Sequence, residues 1–288
     1  MALIWSLLRR RDIWQRIGTE RLTEPLHLNL IALLVAAFGN TRAKIAFDVL
    51  VRQQHAYGLL HGADRARAEG LREVTVVELG VGAGTGLLNL CHLAAQVERA
   101  TGVHFHITGF DTGRGMPPPT DYRDHPELYA SGDYAMDHQS LTAALPPDAR
   151  LILGDLSETM DDFVAQLSPE APLGFVTLDV DFYSSTRRAL KLFTGPPACY
   201  FPYVTVYVDD VALPTHTRYA GEQLAMSEFN DANALRKLEF DRFLIHSRVF
   251  KHAEWLAHMY KLHVLDHPRR TDVTRAGGVQ VANPYLAS

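Results

Sequence analysis

Hydrophobic and polar positions along this chain switch repeatedly between a strand-like and a helix-like period. Val74 to Val77 form a β-branched run of the kind buried on both faces of a sheet. Four glycines follow at alternate positions, Gly80, Gly82, Gly84 and Gly86, and then Leu87, Leu88, Leu90 and Leu93 recur at helical spacing. Residues 103–111 alternate and end in Asp111, and residues 150–155 form a short apolar strand ending Gly154-Asp155. Phe175–Leu178 and Tyr203–Val208 are two further buried strands, and residues 258–268 read as a late strand at an antiparallel edge. Helical spacing is expected over residues 1 to about 70, through Ile45, Val49, Leu50 and Ala56 and then Leu59 to Ala66, with a stop at Gly70. A later helix is expected from Gly221 to about Leu238. Strands alternating with helices predict an α/β fold with a mostly parallel sheet. A helical N-terminal cap (1–70) would lie over the substrate side of a domain spanning 71–288, the two forming one globular unit.

The glycine spacing decides which nucleotide this turn could take. A dinucleotide fingerprint needs G-x-G-x-x-G or a final Ala, and both registers fail, at Thr85 and at Leu87. The pattern present is E-x-G-x-G-x-G with Glu78 as the acid. It resembles motif I of the class I S-adenosylmethionine (SAM)-dependent methyltransferases, which implies a Rossmann-like, seven-stranded sheet. A carboxylate such as Glu78 suits the ammonium of SAM better than a phosphate cradle would. Gly80, Gly82, Gly84 and Thr85 are the expected backbone contacts. Asp111, 27 residues beyond Gly84, has the spacing of an acid that accepts from ribose hydroxyls. Asp155 would either accept from the adenine amine or cap the following helix.

Two strand ends carry carboxylates: Asp179 and Asp181 after the strand ending at Leu178, and Asp209 and Asp210 after Val208. Gathering Asp179, Asp209 and Asp210 at one edge is unfavourable without a compensating cation or proton. All-oxygen ligation favours Mg²⁺, with Mn²⁺ or Ca²⁺ as alternatives. D-x-D-x-Y-x-S-T followed by V-D-D resembles the macrocin O-methyltransferase (TylF-like) family of metal-dependent SAM enzymes, over about Val74 to Val211. The resemblance implies that Asp179, Asp209 and Asp210 hold the metal and that Asp179 is also the base. Asp181, at the start of the turn, is expected to satisfy free backbone amides.

The resemblance therefore implies metal-assisted methylation of a hydroxyl on a small molecule, a sugar or another natural-product intermediate. A metal-independent methyltransferase and a non-catalytic partner subunit of the same fold remain as other readings. The 25-residue stretch 113–137, rich in proline and tyrosine, has the length of a lid or binding loop, with Tyr122, His125, Tyr129 and Tyr134 as candidate acceptor contacts. Arg42, Gln54, His55 and Tyr57 are polar cap residues for which a solvated or core-edge position is expected.

Charge and composition narrow the partners. Twenty-eight basic against 33 acidic residues give a net charge of −5, with no basic footprint for nucleic acid or an anionic membrane. Two cysteines without a surrounding motif, Cys91 and Cys199, fit a reduced, cytoplasmic protein. The N-terminal MALIWSLLRRRD places its arginines after the apolar run, the reverse of a secretory signal. The apolar run Leu30–Phe38 is too short to span a bilayer and is expected to form a buried helix. The tail from Thr274 looks peripheral. Self-association into a homo-oligomer is left open.

Overall fold

A computed structural model describes residues 17–274. The N-terminal dodecapeptide and all but the first residue of the tail discussed above lie outside them. In chain order the helices are α1 (Leu26–Phe38), α2 (Thr41–Ala46), α3 (Gln53–Ala68), α4 (Thr85–Thr101), α5 (His138–Ala144), α6 (Leu156–Ala165), α7 (Tyr183–Ala189), α8 (Gly221–Ala232), α9 (Leu244–Ser247) and α10 (Pro268–Thr271). The strands are β1 (Glu73–Leu79), β2 (His104–Asp111), β3 (Ala149–Leu153), β4 (Leu173–Leu178), β5 (Tyr200–Val208), β6 (Arg236–Phe240) and β7 (Met259–Val264).

These strands form one sheet in the order β3-β2-β1-β4-β5-β7-β6. The first five run parallel, and β7 pairs antiparallel with both β5 and β6. Strand order reverses between β1 and β4, so the crevice beyond their C-terminal ends is the switch point where ligands bind in open α/β sheets. The alternation within β1 explains why it must be central. Val74 and Val76 face a core layer built with α3 and α4, while Val77 and Leu79 face the opposite layer with α6, α7 and α8. Thr75, buried on this strand, donates its hydroxyl to the Ala171 carbonyl at 2.7 Å.

The N-terminal helices divide into two kinds. α3 packs on β1, β4 and β5, where Gly58 leaves room for the Phe175 ring to press against the helix backbone. It is thus a flanking layer, with only its N-terminal end at the sheet's C-terminal edge. α1 corrects the expectation of a buried helix: Leu33 is 69% exposed and Phe38 86%, and Ala32 is the residue that becomes buried. The run is apolar on all sides, and its packing against the six-residue α2 covers only a small part of it. A second correction concerns the helix expected to reach Leu238. It ends at Ala232, and Arg236–Phe240 form β6 instead. The Asn230 side-chain amide donates to the Leu238 carbonyl and its oxygen accepts from the Leu238 amide, tying the helix to the strand that follows. Among the described residues no helix is long and apolar enough to cross a membrane.

Candidate active site

A cavity of about 320 Å³ opens at the switch point between β1 and β4. Its floor is the glycine turn. Gly80, with φ of 87°, lies so close to the Asp179 carbonyl that a Cβ there would overlap the oxygen. Gly86, in the first turn of α4, likewise leaves space that the Glu78 carboxylate fills. A side chain at either position would displace an acidic wall of the cavity, which is why this turn tolerates no Cβ.

Most of the residues expected to hold a nucleotide line this cavity: Glu78, Gly80, Gly82, Thr85, Asp111 and Asp155. Gly84 does not; it adopts φ of 83° as the residue before α4 and packs against Leu141. Glu78 is 4% exposed, and its Oε2 finds no hydrogen-bond partner. Burial, reinforced by the charges of Asp179 and Asp111, raises its pKa well above the ordinary carboxylate range. Asp111 Oδ2 accepts from the Val81 and Gly82 amides at 3.0 and 2.8 Å, and Oδ1 accepts from the Gly113 amide at 2.6 Å. This carboxylate therefore fixes the glycine turn while facing the cavity. Asp155 caps α6, accepting from the Ser157 amide at 2.7 Å, and pairs with Arg188 at 2.9 Å. The expected cap is thus formed, and Asp155 also lines the cavity.

The acidic strand ends do meet. Burial, then Asp209 and Asp210, push the Asp179 carboxyl up to about 8. Asp181 rises to about 9 through burial, a hydrogen bond with Asp210, and the surrounding charges. Asp181 is not the amide-satisfying residue expected: α7 begins after Phe182 with no side-chain cap. Instead Asp181 adopts φ of 54°, a left-handed conformation that aspartate tolerates better than most residues, and turns toward Asp210. The Tyr207 hydroxyl donates to Asp209 and the Tyr129 hydroxyl to Asp210, each at 2.6 Å. Glu222, buried, accepts from the Asp210 amide at 3.0 Å, and burial, then Asp210 and Asp181, raise its pKa well above the ordinary carboxylate range. Asp179, Asp209 and Asp210 thus share one edge but are not arranged as a ligand group. Among the described residues no three His, Cys, Asp or Glu side chains are placed to hold a metal ion, and tyrosine hydroxyls already engage two of these carboxylates.

The 113–137 stretch closes over this edge. Asp124, fully buried, accepts from the Thr120 and Ser184 amides at 2.8 Å each, pinning the loop to the start of α7. Of its four aromatic candidates, Tyr129 reaches Asp210, Tyr134 lines the cavity, His125 packs against His216, and Tyr122 remains exposed. The cap candidates stay out of the cavity: Arg42 pairs with Asp64, His55 contacts Asn89, and Tyr57 stacks on His61. Gln54 is buried beside them. Sequence reading missed Arg52, which precedes α3 and does line the cavity, and Glu222, which accepts from the Asp210 amide. Neither lies in a motif; Glu222 carried no periodic or spacing signal.

Sheet order, glycine turn and acidic switch point together define a Rossmann-like methyltransferase fold. No protein-family model matches the chain, and no curated protein does. Among solved structures it is similar to CalS11, a calicheamicin methyltransferase, with 18% identity over 82% of this chain and 91% of that one, at a TM-score of 0.50. Further similarity is to the apo structure of CalS11, described as a TDP-rhamnose 3'-O-methyltransferase, with 18% identity over 82% and 93% at a TM-score of 0.41. TomG, an O-methyltransferase from Streptomyces achromogenes in complex with SAM, matches with 14% identity over 87% and 93% at a TM-score of 0.37. At these identities the likeness is one of fold.

Proposed function

We propose that this chain is a SAM-dependent O-methyltransferase acting on a hydroxyl of a small molecule, a sugar or another natural-product intermediate. The observation that carries the reading is Glu78, a buried carboxylate with an unpartnered oxygen, set against a glycine turn that accepts no Cβ. An ammonium at that point would give the orphan oxygen its missing partner. The bound cofactor would supply an electrophilic methyl group on sulfur. The chain's own part is to orient: Glu78 and the glycine turn at the amino-acid end, Asp111 at the ribose, and the wall around Gly154 and Asp155 at the base. At the acceptor end Asp179 is placed to take the hydroxyl proton; burial, then Asp209 and Asp210, lift its carboxyl to about 8, so the free base that accepts the proton grows as pH rises toward that value. Positioning of this kind is worth up to about 7–11 kcal/mol in well-oriented systems.

The titration of Glu78 provides the test. Its pKa is raised in the ligand-free protein, so a proton sits there at pH values above the ordinary carboxylate range. An ammonium beside it favours the charged form, so binding expels the proton and tightens as pH rises. Calorimetry of SAM in buffers of different ionisation enthalpy is expected to show proton release, absent in Glu78→Gln. Failure of the wild type to bind SAM at all would remove the proposal.

Metal assistance belongs to this reading on donor chemistry. Asp179, Asp209 and Asp210 are hard oxygen donors from adjacent strand ends, whose mutual repulsion a divalent cation would relieve; to hold one, Asp209 and Asp210 would exchange the Tyr207 and Tyr129 hydroxyls for it. Such an ion would supply Lewis acidity to the acceptor hydroxyl. Exhaustive chelation is expected to abolish turnover and added Mg²⁺ to restore it. Full activity in chelated protein would leave the hydroxyl to Asp179 alone.

A further inference from the structure

The cavity is strongly acidic, lined by Glu78, Asp111, Asp133, Asp155, Asp179 and Asp181, and among the described residues only two basic side chains line it, Arg52 and Arg188. Arg188 is committed to Asp155 at 2.9 Å, on the side of the cavity formed by α6 and β3. Arg52 is different. Among the described residues its guanidinium makes no hydrogen bond or ion pair, although it is half-buried at the cavity wall. Its field reaches both Glu78 and Asp179, favouring their charged forms.

The backbone that delivers it is built for the purpose. Asp48 and Arg52 both adopt left-handed conformations, with φ of 50° and 54°, which non-glycine residues rarely hold without support from their surroundings. Support comes from two other arginines. Arg248 donates to the Asp48 carboxylate at 2.6 Å and to the Ile45 and Ala46 carbonyls, while Arg21 donates to the Phe47 and Asp48 carbonyls. The segment 47–52 is therefore strapped down at one end, and its strained far end presents an unpaired cation to an acidic cavity.

We propose that Arg52 binds the α-carboxylate of the methyl donor. The inference rests on the SAM reading above and adds a residue that no motif in the chain contains. In an amino acid the carboxylate and the ammonium sit on one carbon, so the partner of the first must stand near the partner of the second. Glu78 takes the ammonium, and Arg52 lines the same cavity, close enough for its charge to act on Glu78. The other charged groups that act on Glu78, Asp179 and Asp111, are acids, which would repel the carboxylate. A guanidinium can grip it with two parallel hydrogen bonds, and Arg188, held by Asp155, is not free to do so.

The test compares two donors that differ in this one group, SAM and decarboxylated SAM, by calorimetry on the full chain. Arg52→Asn is the variant of choice, because asparagine tolerates the left-handed backbone at this position. It is expected to weaken SAM at least tenfold and to leave decarboxylated SAM within twofold of wild type. Wild type itself should prefer SAM by the same factor, and Arg52→Lys should lose only part of that preference. Equal weakening of both donors would overturn the assignment, since it would mean that Arg52 merely shapes the loop. Unchanged SAM affinity would overturn it too, and a rise confined to the acceptor KM would hand the residue to an anionic acceptor. A wild type that binds neither donor would sink the SAM reading itself, an outcome distinct from any behaviour of the variant.

Discussion

Replacing Asp179 by asparagine is expected to lower kcat by about 10²–10⁴-fold, the usual contribution of a positioned general base, while SAM affinity stays within a few-fold. The side chain keeps its size, so the contact between the Asp179 carbonyl and Gly80 survives, as does the Asp179 amide's hydrogen bond to the Leu79 carbonyl at 2.9 Å. What is lost is the ability to take a proton. Asp181→Asn provides the contrast. Asp181 has its pKa lifted to about 9 and shares a hydrogen bond with Asp210, so near neutral pH it is itself the protonated partner. An amide can replace that donor, and a partial defect is expected. Rapid-quench measurement of methyl transfer, with SAM affinity measured separately, tells the two apart. If Asp179→Asn turned over at a normal rate, Asp179 would have to be removed from the chemistry.

Arg248→Met is expected to destabilise the protein by about 3–5 kcal/mol, because it leaves Asp48 buried without its counter-ion. Asp48 is 4% exposed, and burial already raises its pKa despite the attraction of Arg248. The sign of the pH dependence follows. A carboxyl whose pKa is raised by folding favours the folded state at low pH and opposes it as pH rises through the folded value. Losing Arg248 raises the pKa further, so the variant's deficit should shrink on acidification, as Asp48 takes up a proton. The double substitution Asp48→Asn, Arg248→Met should recover much of the loss. Chemical denaturation at two pH values checks this, and a deficit independent of pH would show that packing against Tyr57 and Trp255, not charge, makes Arg248 important.

The parallel sheet was legible because β1, β4 and β5 are buried on both faces and therefore read as unbroken apolar runs. β6 was not. Its sequence, RKLEF, is short, charged and lies at an edge, so neither period stands out and the preceding helix seemed to run on through it. α1 misled in the opposite way. An apolar run predicts burial only when another element is available to cover it, and that depends on the rest of the fold. At the site, the glycine turn and the carboxylates at the strand ends followed from spacing, since strand ends put them at one edge. The partners of those carboxylates did not. Tyr129, Tyr207 and Glu222 reach the edge from a loop, from within β5 and from α8, and only tertiary geometry brings them together. Arg52 was hidden for a related reason: its importance lies in a backbone angle and in two distant arginines.

The contact between Gly80 and the Asp179 carbonyl has a further consequence for how the protein could be altered. The turn under the methyl donor and the strand end carrying the proposed base touch backbone to backbone, so the distance between the two halves of the reaction is set without any side chain. Nothing in the 113–137 loop contributes to that spacing. Substitutions at Tyr134 or Pro117, which line the cavity, should therefore retune which acceptor is admitted while leaving the line of transfer undisturbed. The loop is where a library for new acceptors belongs, and Gly80 is the position to leave alone.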